Sequence, residues 1–224
     1  MNELQPRIVI FDWDGTLMDS TGHIVASVQA AVRELGWVEP DAEAVRSVIG
    51  LSLDRALETV MPEPSPTAVQ AFQQAYRRYY LDPGVHEGDL FPGVDSLLED
   101  LAGAGIWAAV ATGKGRAGLD RVMGKLAVSG HFVTSRCADE ARSKPHPQML
   151  EDILDYTGLE PADALMVGDT TFDLDMARSL RMPAIGVTGG AHPAERLRQS
   201  QPLALLDRVA DLRSCLSALK VDAD

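Results

Sequence analysis

Ile8 to Phe11 is a run of four apolar residues that leads directly into Asp12, Trp13, Asp14, Gly15 and Thr16. A short, unbroken apolar run suits a strand covered on both faces, as in a parallel sheet, rather than a half-solvated strand that alternates. Open α/β sheets carry their chemistry at the carboxyl ends of such strands. Gly15 lets the backbone turn sharply. The run therefore predicts a buried strand with Asp12 at its tip and Asp14 carried over the same pocket. An exposed Asp-Gly turn after an edge strand is the alternative.

The rest of the chain favours the first reading. Apolar segments at Ile106–Thr112, His131–Ser135, Ala164–Val167, Ala184–Val187 and Leu203–Leu206 alternate with helical patterns at Gly93–Gly105, Arg116–Leu126, Pro147–Tyr156 and Phe172–Leu180. A last helix runs toward Leu219, with Asp207 as its expected cap. Alternation of this kind implies parallel crossover units and an α/β, doubly wound parallel sheet. Trp107 and Met182 read as core.

Residues 17–88 break the alternation. Helical patterns cover His23–Leu35, Asp41–Val48, Leu53–Met61 and Thr67–Leu81. Gly36 and the prolines at 62, 64 and 66 interrupt them. Val69, Phe72, Tyr76, Tyr79 and Tyr80 form a stripe that reads as packing. Helices segregated inside an α/β pattern predict a helical subdomain inserted at 17–88 into an α/β core at 1–16 and 89–224. The expected hinges are Leu17–Thr21 and Pro83–Asp89.

Composition limits the partners. A net charge of −13 over 224 residues disfavours nucleic acid, whose phosphates attract basic surfaces. The two cysteines, Cys137 and Cys215, lack metal spacing and read as free thiols in a reducing compartment. No apolar run is long enough for a membrane span, and Met1–Arg7 has no signal-peptide pattern. A cytoplasmic protein is expected.

Four strand ends carry reactive groups: Asp12 with Asp14; Thr112 with Gly113; Lys144 beside Pro145, His146 and Pro147; and Gly168-Asp169 followed by Asp173. A parallel sheet brings its strand ends to one edge. Clustered carboxylates repel unless a cation neutralises them. Magnesium suits oxygen ligands and keeps room for a phosphate, while the absence of His-Cys clusters argues against zinc. Thr112 offers a hydroxyl, Gly113 an unhindered N–H and Lys144 a point charge for phosphate. Singly, Asp173 could be a first-turn helix charge and Asp169 a cap.

Together these motifs resemble the four motifs of the haloacid dehalogenase-like hydrolases, in order Asp12-x-Asp14, Thr112, Lys144 and Gly168-Asp169-x-x-x-Asp173. The resemblance runs from Ile8 to about Val187 and is nearest to phosphoglycolate-phosphatase-like members. It implies that 17–88 is the family's small helical cap, that 1–16 and 89–224 form the catalytic core, and that the partner is a small phosphorylated metabolite. It implies that Asp12 attacks phosphorus to form a phosphoaspartate. Asp14 protonates the leaving oxygen and then activates water. It implies Mg2+ held by Asp12, the carbonyl of Asp14 and Asp169, with Asp173 supporting or joining that shell. Thr112 and Lys144 hold the phosphoryl group. Asp14 sets the chain apart from the dehalogenases. The lack of lysine in 17–88 sets it apart from phosphonatases, which use a cap lysine. Sugar phosphatase, pyrophosphatase and phosphomutase remain open, with Arg55 a candidate for a second phosphate. His192, in a Gly-rich turn, is a further candidate for the site. A rival from another class is a dinucleotide-binding oxidoreductase, because Gly113-x-Gly115-x-x-Gly118 follows a strand and Asp139 lies about twenty residues on.

Overall fold

The computed structural model describes residues 5–60, 64–82 and 88–221. The four-residue apolar run forms strand β1 (Ile8–Phe11), buried along its whole length. The remaining strands are β2 (Trp107–Ala111), β3 (Phe132–Arg136), β4 (Ala164–Gly168), β5 (Ala184–Val187) and β6 (Ala204–Leu206). They form one six-stranded sheet in the order β3-β2-β1-β4-β5-β6. Every pairing is parallel, and β1 sits between β2 and β4. The α/β, doubly wound architecture is therefore as the alternation predicts.

Alternate residues of β1 enter opposite layers, because successive side chains of a strand point to opposite faces. Val9 and Phe11 join an apolar cluster with Val110, Leu97, Leu119 and Val167. Ile8 and Ile10 join a second with Met149, Ile153, Met166 and Leu174. Helices α5 (Val94–Gly103), α6 (Arg116–Leu126) and α10 (Leu212–Val221) supply the first layer. Helices α7 (Gln148–Thr157), α8 (Thr171–Ser179) and α9 (Ala194–Gln199) supply the second.

Helices α1 (Thr21–Glu34), α2 (Ala42–Arg46), α3 (Leu53–Val60) and α4 (Pro66–Tyr80) occupy the segment between β1 and α5. Asp41 caps α2 by accepting the Ala44 N–H at 2.7 Å, as expected of an N-cap carboxylate. These helices enclose their own apolar cluster of Val25, Val28, Ala31, Val45, Ile49, Leu57, Phe72 and Ala75. Ala191, from the loop after β5, is buried in that cluster too. The chain leaves and re-enters the sheet side by side: Asp19 N–H donates to the Asp89 carbonyl and Phe91 N–H to the Leu17 carbonyl, both at 2.9 Å. Of the second expected hinge only Gly88 and Asp89 lie among the described residues.

Three expectations are corrected. Trp107 opens β2 at the amino-terminal end of this interior strand and is 43% exposed rather than core. Asp207 does not cap the last helix. It accepts the Thr188 hydroxyl at 3.1 Å, and a 3-10 turn over Val209–Asp211 precedes α10. Helix α9 was not expected between β5 and β6; its six residues are too few for a clear helical period. Among the described residues, no helix is long and apolar enough to cross a membrane.

Candidate active site

Asp12 follows the last residue of β1, and its N–H donates to the Val167 carbonyl of β4 at 2.9 Å. That bond extends the ladder by one residue and fixes Asp12 at the carboxyl edge. Asp169 follows β4 on the adjacent strand, and Asp173 lies in the first turn of α8. Oxygens of all three carboxylates lie within 4.8 Å of one another, and each residue is buried. Thr112, which follows β2, and Lys144 are also buried, so the structure brings Asp12, Thr112, Lys144, Asp169 and Asp173 to one edge.

The carboxylates differ in how they are satisfied. Asp173 Oδ1 is 2.6 Å from Lys144 Nζ, and its Oδ2 accepts the Thr170 N–H and hydroxyl in a capping box. Asp169 accepts the Thr16 hydroxyl at 2.9 Å and the Ala191 N–H at 2.6 Å. Asp12 Oδ1 is 2.8 Å from Lys144 Nζ as an ion pair without the alignment of a hydrogen bond. Asp12 Oδ2 has no hydrogen-bond partner among the described residues. A buried, unpartnered carboxylate oxygen is costly.

Charge reinforces the point. Three buried carboxylates face one buried ammonium, a deficit of two positive charges if all ionise. Burial raises the Asp12 pKa well above the ordinary carboxylate range; Lys144 opposes the rise, while Asp173 and Asp169 add to it. Asp169 is pushed up to about 7 by burial and by Asp173, against the pull of the Ala191 N–H and the Thr16 hydroxyl. Burial also acts to lower the Lys144 pKa, but Asp12 and Asp173 outweigh it and keep the ammonium charged. A divalent cation would remove the deficit and satisfy Asp12 Oδ2. The donor set is all oxygen, which fits magnesium.

Asp14 lies apart from this cluster. Its carboxylate accepts the Ser20 hydroxyl at 2.5 Å and pairs with Lys114 Nζ at 2.8 Å. Lys114 Nζ also donates to the Tyr80 hydroxyl at 2.7 Å. The stripe on α4, read from sequence as packing, thus ends at the site: Phe72, Tyr76 and Tyr80 stack in succession, and Tyr80 touches Lys114. Sequence reasoning saw Lys114 only as a spacer in a glycine pattern. Its position two residues after Thr112 was the available signal.

Gly113 supports the close approach of the helical segment. A Cβ there would lie 2.6 Å from the carbonyl oxygens of both Gly50 and Leu51. Gly15, at φ +83°, adopts the left-handed backbone that glycine favours, and a side chain there would strike the Asp169 carboxylate. His192 is buried and ties the two parts together. Its Nδ1 accepts the Thr171 N–H at 3.0 Å, and its Nε2 donates to the Ser47 carbonyl at 3.1 Å. Arg55 is on the surface, paired with Glu58 at 2.8 Å. Asp139 accepts the Arg116 N–H at 2.9 Å at the start of α6, so the carboxylate that completed the dinucleotide-binding pattern serves as a helix anchor.

A doubly wound parallel sheet with an acidic cluster and a buried lysine at its carboxyl edge defines an α/β enzyme core. The haloacid dehalogenase-like hydrolase model matches residues 9–187, and the chain belongs to that family. The oxidoreductase alternative falls with that assignment. The chain is 35% identical over 218 residues to the probable phosphatase IndB of Dickeya dadantii, covering 95% of this chain and 94% of that one. It is 31% identical to a 5'-nucleotidase of Pseudomonas aeruginosa, with 94% and 95% covered. A phosphoglycolate phosphatase of Vibrio vulnificus is 27% identical, with 95% and 96% covered. Among solved structures, a hydrolase from Pseudomonas syringae has the same fold, with a TM-score of 0.87, 22% identity, and 96% and 98% of the two chains covered.

Proposed function

We propose that this protein is a magnesium-dependent phosphatase that hydrolyses a soluble phosphate monoester through a phosphoaspartate on Asp12. The observation that carries the reading is the buried, unpartnered Asp12 Oδ2 beside Lys144. Asp12 attacks phosphorus, and an Oδ–P bond forms as the ester P–O bond breaks. Asp14 gives a proton to the departing alcohol oxygen. It then takes one from the water whose oxygen attacks phosphorus and releases Asp12. One group that acts first as acid and then as base serves both halves. Thr112, the Gly113 N–H and Lys144 hold the phosphoryl oxygens. Asp12, Asp169 and the Asp14 carbonyl would hold magnesium, with Asp173 fixing Lys144 beside them. Magnesium, when bound, supplies the charge stabilisation that phosphoryl transfer chiefly requires.

Residues 17–88 act as a cap over a core formed by 1–16 and 89–224. Its closure excludes bulk water from the reacting groups. The cytoplasm suits the two free thiols, and the strongly negative chain is unsuited to nucleic acid. The test is phosphate release from a panel of esters with magnesium, with EDTA, and with Asp12→Asn. Turnover should vanish in the last two. Undiminished activity in Asp12→Asn would overturn the nucleophile, and undiminished activity in EDTA the metal.

A further inference from the structure

The groups that act on phosphorus occupy only one end of a much larger cavity. It has a volume of about 660 Å³ and runs from Asp12 and Asp14 into the helical segment. Ile24 and Val28 of α1, Val48 and Ile49 after α2, and Tyr76 and Tyr80 of α4 form its walls. The two rings stack with centroids 5.4 Å apart. Cavities of several hundred Å³ hold ligands of drug size. A two-carbon leaving group such as glycolate would leave most of this one filled by water against apolar side chains, which is unfavourable.

Charge points the same way. A second anionic group on the substrate would call for a cation in the cavity. Lys144 is committed to Asp12 and Asp173, and Lys114 to Asp14 and Tyr80. Arg77 and Arg121 also line the cavity but are exposed to solvent. The Arg121 guanidinium stands 5.9 Å from the Tyr80 ring; Ser52, Asp54, Gln73 and Asp139 add no cation, and the rest of the wall is aliphatic, aromatic or glycine. Resting on the phosphatase reading above, we infer that the substrate is a phosphate monoester whose alcohol bears a ring-sized, largely apolar body, which the cavity buries against Tyr76, Tyr80 and the aliphatic wall. The reaction is R–O–PO₃²⁻ plus water giving the free alcohol and inorganic phosphate. Apolar binding energy realised away from phosphorus serves to orient the ester for attack.

The experiment measures phosphate release, with magnesium, from ethyl phosphate, 2-phenylethyl phosphate, 2-(1-naphthyl)ethyl phosphate and 2-phosphoglycolate. The three primary alcohols have similar acidity, so differences report recognition rather than leaving-group reactivity. The expected result is a kcat/KM for the arylethyl esters at least about tenfold above those of ethyl phosphate and 2-phosphoglycolate, as burial of a ring requires. Ile24→Gln should shrink that ratio. Ile24 is only partly buried, and its variant's melting temperature is checked in parallel. Leu53→Gln, also partly buried on the cavity wall, replaces it if the first variant is unstable. Faster turnover of ethyl phosphate or 2-phosphoglycolate overturns the apolar substrate and leaves the phosphatase reading standing. An aryl preference that both variants leave unchanged overturns the assignment to this cavity. Turnover of none of the four overturns the phosphatase reading and this inference with it.

Discussion

Lys144→Met removes the only buried cation that faces the acidic cluster among the described residues. Methionine nearly matches the lysine stem in length, so the change deletes charge more than volume. The ammonium lies 2.6 Å from Asp173 and 2.8 Å from Asp12, with all three side chains at most 1% exposed. Removing one partner of a buried ion pair costs about 3–5 kcal/mol, because the remaining charge is left uncompensated. At roughly 2–4 °C per kcal/mol for a chain of this size, the melting temperature should fall by about 6–20 °C. The loss should also depend on pH. Burial already holds the Asp12 and Asp169 carboxyls above the ordinary carboxylate range, and without Lys144 they keep protons to higher pH, so the folded state binds more protons than the unfolded chain. Stability then falls as pH rises, and the gap to the parent protein widens between about pH 6 and pH 8. Thermal melts followed by circular dichroism, without magnesium at both pH values, provide the assay. A melting temperature within about 2 °C of the parent at both pH values would refute the reasoning.

Lys114→Met should lower kcat by roughly 10- to 100-fold, since it releases the Asp14 carboxylate from its 2.8 Å partner and misplacement by about 1 Å costs this much; steady-state kinetics with a good ester checks it. Gly113→Ala should destabilise by about 1–3 kcal/mol, because its Cβ meets two backbone oxygens that must move; urea unfolding measures the loss. Burial lowers the His192 pKa below its ordinary value of about 6.5. The folded state therefore favours the neutral ring, and stability fully present above about pH 6.5 is lost as pH falls below that value and through the depressed folded-state pKa. His192→Gln should flatten the acid side of a plot of melting temperature against pH.

What could be read from the chain depended on how local the signal was. Strands β1 and β4, and β2 beyond Trp107, are buried on both faces, so each appears as a continuous apolar run, and the reactive group lies at the next residue. Asp12, Thr112 and Asp169 were legible for that reason. Lys144 and Asp173 were legible through the family pattern rather than periodicity. Lys114 was hidden because its partners, Asp14 and Tyr80, are 100 and 34 residues away. Tyr80 was hidden because an aromatic stripe that packs for two turns looks the same whether or not its last ring meets a polar group. The hydrogen bond from His192 to Ser47 spans 145 residues and depends wholly on tertiary placement.

Ala191 has a consequence disproportionate to its size. Its N–H is bound to the Asp169 carboxylate, while its methyl group is seated among the apolar side chains of the helical segment. One residue thus links the helical segment to a metal-ligand candidate without any charged intermediary. A displacement of those helices that dislodges the methyl pulls on the backbone that steadies Asp169, so readiness for chemistry and shelter from water would rise and fall in step.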